Sequence, residues 1–359
     1  MRVLIVVASN SRRGAELEGS QLACELVEWS VDASAVALVR GPSPDAIDIP
    51  VLGSSPLSLS TMRALRTRAA AADVVVAYGS TTLPACAIGL VGTGTPFVYR
   101  SIGAPGAWLR GRLHRWRTGL MLRRAESVVA LWPEAATALN DLYRLSPSRV
   151  RTIPNARSGD EFTPATEARR SAARARFGLT SEALVVGCIG AFPDEKRLGL
   201  ALESVSELKD ATALVVGDGP NRAKYERLAS ESLGDRAVFT GMLDSVVDAY
   251  DAMDVVLLTS RTEGMPGVLI EAALSGVPVV ATDVGAVSWL LENGAIGEAV
   301  ESDSSPQSIA AAVRRVAARG ATAPKHSIRG CTWTVVAAQW VDVLNAVGSP
   351  AATSQSRAL

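Results

Sequence analysis

Short apolar runs alternate with helix-period segments along nearly the whole of this chain. That alternation limits it to parallel sheets covered by helices on both faces. In the first half, residues 3–8, 35–39, 73–78, 96–100, 127–131 and 150–153 read as strands. The second half repeats the pattern at 184–190, 213–217, 237–240, 254–259, 277–282 and 297–300. Two doubly wound α/β units are therefore expected, and 359 residues suit two domains better than one. Residues 154–176 (PNARSGDEFTPATEARRSAARAR) are polar, carry prolines and an arginine run, and read as the linker. Residues 74–99 lack any charge, which raises the question of a membrane span of ~20 residues. Their glycines, prolines and Ser80-Thr81-Thr82 cluster favour a buried strand, loop, helix and strand instead.

Charged residues make up 20% and sum to a formal net charge of zero, so no global field draws nucleic acid or an acidic partner. An apolar share of 48% with only 5% aromatic suits an Ala/Val/Leu-packed α/β protein. Cys24, Cys86, Cys188 and Cys331 are scattered and form no C-x-x-C, which favours buried thiols and a reducing cytoplasm. The two histidines cannot make a three-histidine site, and with no other metal spacing no metal is expected. Residues 1–13 (MRVLIVVASNSRR) have too short an apolar core for a signal peptide and read as the first strand.

The chemistry concentrates in residues 260–285, SRTEGMPGVLIEAALSGVPVVATDVG. The strand at 254–259 leads into a Gly/Pro loop, and Pro266 suits the first turn of a following helix. Val268, Leu269, Ala272 and Ala273 continue at helical spacing, and Gly276 is the stop. Backbone N–H groups from Met265 to Val268 then point above the strand end, an anion site suited to phosphate. Glu263 falls in the loop and Glu271 inside the helix. An ionised carboxylate accepts two hydroxyls at once, so Glu263 suits sugar hydroxyls and Glu271 a ribose diol. The plainer alternative is a loop acid favoured by the helix dipole and a solvated helix residue.

Residues 110–124 (RGRLHRWRTGLMLRR) hold six arginines, one histidine and no acid. Leu109, Leu113, Trp116 and Leu120 fall on one face, so a basic amphipathic helix is expected. Such a helix suits an anionic lipid surface at the inner face of the membrane, or an acceptor phosphate. It also suits packing on the domain with a solvated arginine face.

The 260–285 stretch resembles the retaining glycosyltransferases of GT-B fold called family 4, or group 1. Their pattern is S-x-x-E-G-x-P-x-x-x-x-E-A-x-x-x-G-x-P-V-V-A-T-x-x-G. This chain has Ser260, Glu263, Gly264, Pro266, Glu271, Ala272, Gly276, Pro278, Val279, Val280, Ala281, Thr282 and Gly285 at those places. The resemblance implies two Rossmann-like domains facing a cleft. These are an acceptor domain at 1–165, a donor domain at 166–330, a helix at 331–347 packing back on the first, and a disordered tail at 348–359. It also implies a nucleoside-diphosphate sugar as co-substrate, with no metal and no other cofactor. Residues 186–196 look like the strand and loop bearing the family's diphosphate lysine, here Lys196, with Arg197 beside it. Met242 and Leu243 occupy the loop that meets the nucleobase through its backbone. Gly264, Met265, Pro266, Gly267 and Val268 line the diphosphate. Gly14, in Arg12-Arg13-Gly14-Ala15-Glu16, matches the second glycine of the family's G-G-A-E.

Two departures stand out. The family's Gly-Arg before the lysine is Gly190-Ala191 here, and the histidine common after the fourth strand is absent from 99–103 (YRSIG). The expectation is sugar transfer to an acceptor hydroxyl with retention, Glu263 and Lys196 being catalytic. The acceptor is a lipid-linked sugar, a polysaccharide or a small molecule. A GT-B nucleotide-sugar epimerase and a catalytically weak nucleotide-sugar-binding protein are the alternatives. A glycosidase fits worse, since eight helical residues span about 12 Å against the ~5–9.5 Å of paired glycosidase carboxylates. No G-x-G-x-x-G follows either first strand, which disfavours a dinucleotide oxidoreductase.

Overall fold

The structure is a computed structural model that describes residues 1–42, 46–108, 111–320 and 326–348. The chain divides into two compact units at Ala156/Arg157 and again at Thr332/Trp333, so residues 157–165 lie with the second unit. The expected tail falls, from residue 349 on, outside the described residues, as do Leu109 and Arg110 of the basic segment.

The first unit runs β1 (Arg2–Ser9), α1 (Gly14–Glu28), β2 (Asp32–Val39), β3 (Val51–Gly53), α2 (Leu59–Ala69) and β4 (Val74–Tyr78). It continues with α3 (Thr82–Gly89), β5 (Phe97–Arg100), α4 (Gly111–Leu122), β6 (Ser127–Ala130), α5 (Pro133–Tyr143) and β7 (Val150–Thr152). The closing helix Trp333–Gly348 belongs to the same unit. The strands form one parallel sheet in the order β3-β2-β1-β4-β5-β6-β7. β1 is buried on both faces, as a continuous apolar run in a parallel sheet must be. Ile5 and Val7 pack with Leu22 and Leu26 of α1 and with Val336, Trp340 and Leu344 of the closing helix. Sequence periodicity missed β3, whose three residues are too few to show a pattern and which follow Pro50 at the sheet edge.

The second unit contains α6 (Glu167–Arg176), β8 (Leu184–Ile189), α7 (Leu198–Ser206), β9 (Ala211–Val216), α8 (Arg222–Ser232) and β10 (Ala237–Gly241). Then come α9 (Val247–Ala252), β11 (Val255–Leu258), α10 (Gly267–Leu274), β12 (Val279–Thr282), α11 (Val287–Glu292), β13 (Gly297–Val300) and α12 (Pro306–Ala317). Its parallel sheet has the order β10-β9-β8-β11-β12-β13, which reverses between β8 and β11. Ligands of open α/β sheets bind above the carboxyl ends at such a reversal.

The linker reading of 154–176 holds at its start, where the chain passes between the units at Ala156/Arg157, and is corrected over Glu167–Arg176, which is a docked helix. Thr166 caps α6, its hydroxyl accepting from the Arg169 N–H, and the arginine run docks the helix onto α9 and the start of β11. Arg169 makes a two-pronged pair with Asp251 at 2.8 and 2.9 Å, while Arg170 and Arg174 share Asp254 at 2.5 and 2.7 Å. Burial pushes the Asp251 carboxyl up and Arg169 pulls it back down. A second, smaller correction concerns Pro266, which is the cap preceding α10 rather than a residue of its first turn.

Among the described residues no helix is long and apolar enough to cross a membrane. The first seven residues of α4 are all exposed, with Leu113 at 68% and Trp116 at 60%. The stripe expected on one face of this helix therefore faces solvent over its first two turns rather than packing on the unit.

Candidate functional site

The loop after β11 is held in one shape by its neighbours. Thr259 and Ser260 are buried at the strand end, and the Thr259 hydroxyl donates to the carbonyls of Lys196 and Arg197 at 3.1 and 3.0 Å. Thr282, at the end of β12, donates to the Ser260 carbonyl at 2.6 Å. Gly285 (φ +63°) lies so close to this loop that a Cβ there would stand 2.3 Å from the Gly264 carbonyl oxygen. That close approach lets the Ala286 N–H donate to the same carbonyl at 2.8 Å.

Two acid–base pairs flank the start of α10. Glu263 accepts from the Ser260 hydroxyl and from Lys196 Nζ, each at 2.6 Å. Glu271, one turn inside the helix, accepts from Arg157 Nε at 2.5 Å on one oxygen and from the Tyr250 hydroxyl at 2.7 Å on the other. The glutamates are 10% and 12% exposed and their cations 33% and 23%, so each pair is open to solvent from its cationic side. Burial, then the Glu271 charge, pushes the Tyr250 phenol well up, so it stays a hydrogen-bond donor. Between the pairs run Gly264, Met265, Pro266, Gly267 and Val268. The N–H groups of Gly267 and Val268 belong to the first turn, where no intrahelical carbonyl is available. The result is a helix end whose first-turn amides attract anions, with one paired carboxylate just before it and another one turn inside it.

Arg197 is placed differently. It sits in the left-handed region (φ +49°), and its guanidinium donates to the carbonyls of Thr259 and Ser302 at 2.6 and 2.7 Å. Burial and then Arg261 lower its pKa. Met242 and Leu243 follow β10, Met242 being 60% exposed. Gly14 opens α1 in the first unit, its N-cap Arg13 making no side-chain cap. A recess of about 280 Å³ there is lined by Arg13, Glu16, Tyr78, Ser80, Thr81 and Ile102. Burial pushes the Glu16 carboxyl up, against backbone hydrogen bonding and the Arg13 charge. A larger hollow of about 950 Å³ between α7 and α8 includes neither Glu263 nor Glu271.

Arg157 and Tyr250 were not expected from the sequence. Arg157 lies in the segment read as linker, where the chain enters the second unit, 114 positions from Glu271. Tyr250 reads as an ordinary apolar position of a helix, and no local signal marks either.

Two Rossmann-like parallel-sheet units with these features define a GT-B protein, and solved structures agree. Sucrose-phosphate synthase of Thermosynechococcus elongatus aligns with TM-score 0.81 at 18% identity, over 96% of this chain and 98% of that one. Anabaena HepE, crystallised with UDP and glucose, aligns with TM-score 0.79 at 19% identity, over 96% and 99%. The family described as "Glycosyl transferases group 1" matches residues 183–319, and "Glycosyl transferase 4-like domain" matches residues 1–156. This chain belongs to the group 1 glycosyltransferases. It is 38% identical over 183 residues to the 2-deoxystreptamine glucosyltransferase of Streptomyces kanamyceticus, covering 48% of this chain and 46% of that protein. It is 29% identical over 227 residues to the D-inositol 3-phosphate glycosyltransferase of Rhodococcus erythropolis, covering 58% and 51%. The match thus spans about half the length of these curated relatives.

Proposed function

We propose that this protein transfers a hexosyl group from a nucleoside-diphosphate sugar to an acceptor hydroxyl with retention of configuration. The observation that carries the reading is the helix end of α10, with the Lys196–Glu263 pair just before it and the Arg157–Glu271 pair one turn inside it. The diphosphate sits on the first-turn amides beside Lys196, without a metal. Glu271 takes the ribose diol and Glu263 the hydroxyls of the sugar. Met242 and Leu243 border the base, and Gly14 offers a further backbone amide.

In the transfer step the bond from the anomeric carbon to the phosphate oxygen breaks, and the acceptor oxygen bonds that carbon from the same face. The acceptor proton passes to the departing phosphate oxygen, so no protein base is required and none is needed at residues 99–103. Lys196 stabilises the charge that develops on the diphosphate, and the Glu263–Ser260 contact fixes the carboxylate that orients the sugar.

The Glu16 recess of the first unit is the candidate acceptor pocket. Relatives are named for cyclitol acceptors, so 2-deoxystreptamine and D-inositol 3-phosphate head the acceptor panel. The exposed Leu113 and Trp116 among arginines support contact with an anionic lipid surface at the cytoplasmic face. Co-sedimentation with phosphatidylglycerol vesicles, lost in a Leu113→Ser, Trp116→Ser double variant, is the expected result. Equal sedimentation of both proteins removes the helix from that role.

The deciding experiment is thermal-shift screening against UDP, GDP, ADP, TDP and their sugars, with wild type beside Glu271→Ala. A ligand of few-micromolar affinity at millimolar concentration adds about 3 kcal/mol of stability. Selective stabilisation by one nucleotide, lost in Glu271→Ala, supports the donor site. Stabilisation by none overturns it, and donor consumption without any acceptor would point to the epimerase.

A further inference from the structure

Resting on the donor-site reading above, we infer that Arg157, placed at the first residue of α10, is a second diphosphate-binding cation besides Lys196. Its backbone is fixed where the chain enters the second unit. The Arg157 N–H donates to the Cys331 carbonyl at 2.9 Å, and residue 157 bridges Thr332 in parallel fashion. From that anchor the guanidinium reaches Glu271 and lies directly on Gly267, the first residue of α10. A Cβ at Gly267 would stand 1.6 Å from one guanidinium nitrogen, so the helix begins with glycine where the arginine needs the space.

The sign of the charge is the telling point. A helix N-terminus carries partial positive charge and favours anions, so a guanidinium laid over it is repelled by the helix it covers. Glu271 offsets that repulsion within the protein, yet Glu271 has a second anchor in the buried Tyr250 hydroxyl. The pair neutralises a largely buried carboxylate, and a negative charge seated beside both the guanidinium and the first-turn amides would be favoured by each. A diphosphate brings about that charge, and the Lys196 ammonium waits on Glu263 in a matching arrangement. Arg197, by contrast, spends its guanidinium on the carbonyls of Thr259 and Ser302. Each glutamate holds its cation in place. With a diphosphate bound, the cations take up the phosphates while the carboxylates keep lone pairs for hydroxyls.

The test is isothermal titration of the full chain with UDP, UMP and uridine, and with GDP, GMP and guanosine. Wild type is compared with Arg157→Met, Arg157→Lys and Gly267→Ala. In Arg157→Met the diphosphate is expected to bind about ten- to hundredfold more weakly, the range for one lost charge-assisted hydrogen bond. The matching nucleoside should change by less than about threefold, and Arg157→Lys should recover part of the loss. Gly267→Ala, which displaces the guanidinium without deleting it, should reproduce the selective loss and carries the test if Arg157→Met does not fold. An equal loss for nucleoside and diphosphate would show that Arg157 acts only through Glu271 and overturns the inference. Unchanged diphosphate affinity in Arg157→Met overturns it as well. If wild type binds none of the nucleotides, the donor-site reading itself fails, a result distinct from both.

Discussion

Arg100 of the first unit and Arg157 of the second each hold a glutamate near the carboxyl end of a parallel sheet, yet their surroundings differ in kind. Arg100 is fully buried, 3.4 Å from Glu18, with the rings of Tyr78 and Trp340 at 5.9 and 5.7 Å. Its guanidinium also donates to the carbonyls of Ile153 and Pro154 and to Asn155 Oδ1. Protein surrounds it on every side, and it ties β5, the end of the β7 segment and the closing helix into one body. Arg157 and Lys196 each keep part of their surface open to solvent. The same acid–base pairing is structural where the cation is enclosed, and it is the pairs with an open side that we propose face a ligand.

The largest effect is expected from breaking the enclosed pair. Arg100→Met leaves Glu18 and several carbonyls buried without their cation, at a cost of about 3–5 kcal/mol. Denaturant unfolding of the two proteins reads this directly, and a loss below ~1 kcal/mol would erase the contrast drawn between the two arginines.

Next comes Glu263→Ala, where stability and activity should part company. Its partner Lys196 is a third exposed, so the cost to folding should stay at about 1–2 kcal/mol, mostly from the buried Ser260 hydroxyl losing its acceptor. Transfer should nevertheless fall by at least about 10²–10³-fold, as for other groups aimed at the reacting centre. Wild-type transfer rates in this variant would remove Glu263 from the mechanism. Gly285→Ala should cost about 1–3 kcal/mol, because the residue must hold a positive φ against the Gly264 carbonyl. Nucleotide affinity should fall with it, since the loop bearing Glu263 has to shift, and unaltered unfolding would contradict that packing.

How much of this was legible beforehand follows from the range of each signal. The strands announce themselves locally, as Val-rich runs bounded by glycine and proline, and only the three-residue β3 lacked length to show. The loop residues Glu263, Gly264 and Gly285 sit within one 26-residue motif, so their spacing was readable and their packing was the natural consequence. Helix α6 was misread because its arginines look solvated until Asp251 and Asp254, some 80 positions on, are brought beside them. Arg157 failed the same way, being meaningful only against Glu271 and Gly267, which no local pattern connects to it. Charges that pair across the fold carry no periodicity, and that is where sequence reasoning ran out in both units.

The smallest expected stability change belongs to Gly267→Ala, and its smallness is the point. Gly267 does not hold a positive φ, and the atom a new Cβ would meet is the far end of a flexible side chain. Alanine is also the better helix former, by roughly 1 kcal/mol in a helix interior and less at a first turn. The variant should therefore unfold within about 1 kcal/mol of wild type, in either direction, while the guanidinium is pushed off the helix end. The enclosed Arg100 could not be displaced so cheaply, since the groups around it have nothing else to bond. If Gly267→Ala instead destabilised the protein by several kcal/mol, Arg157 would be as structural as Arg100, and the distinction between enclosed and ligand-facing cations would fail at its test case.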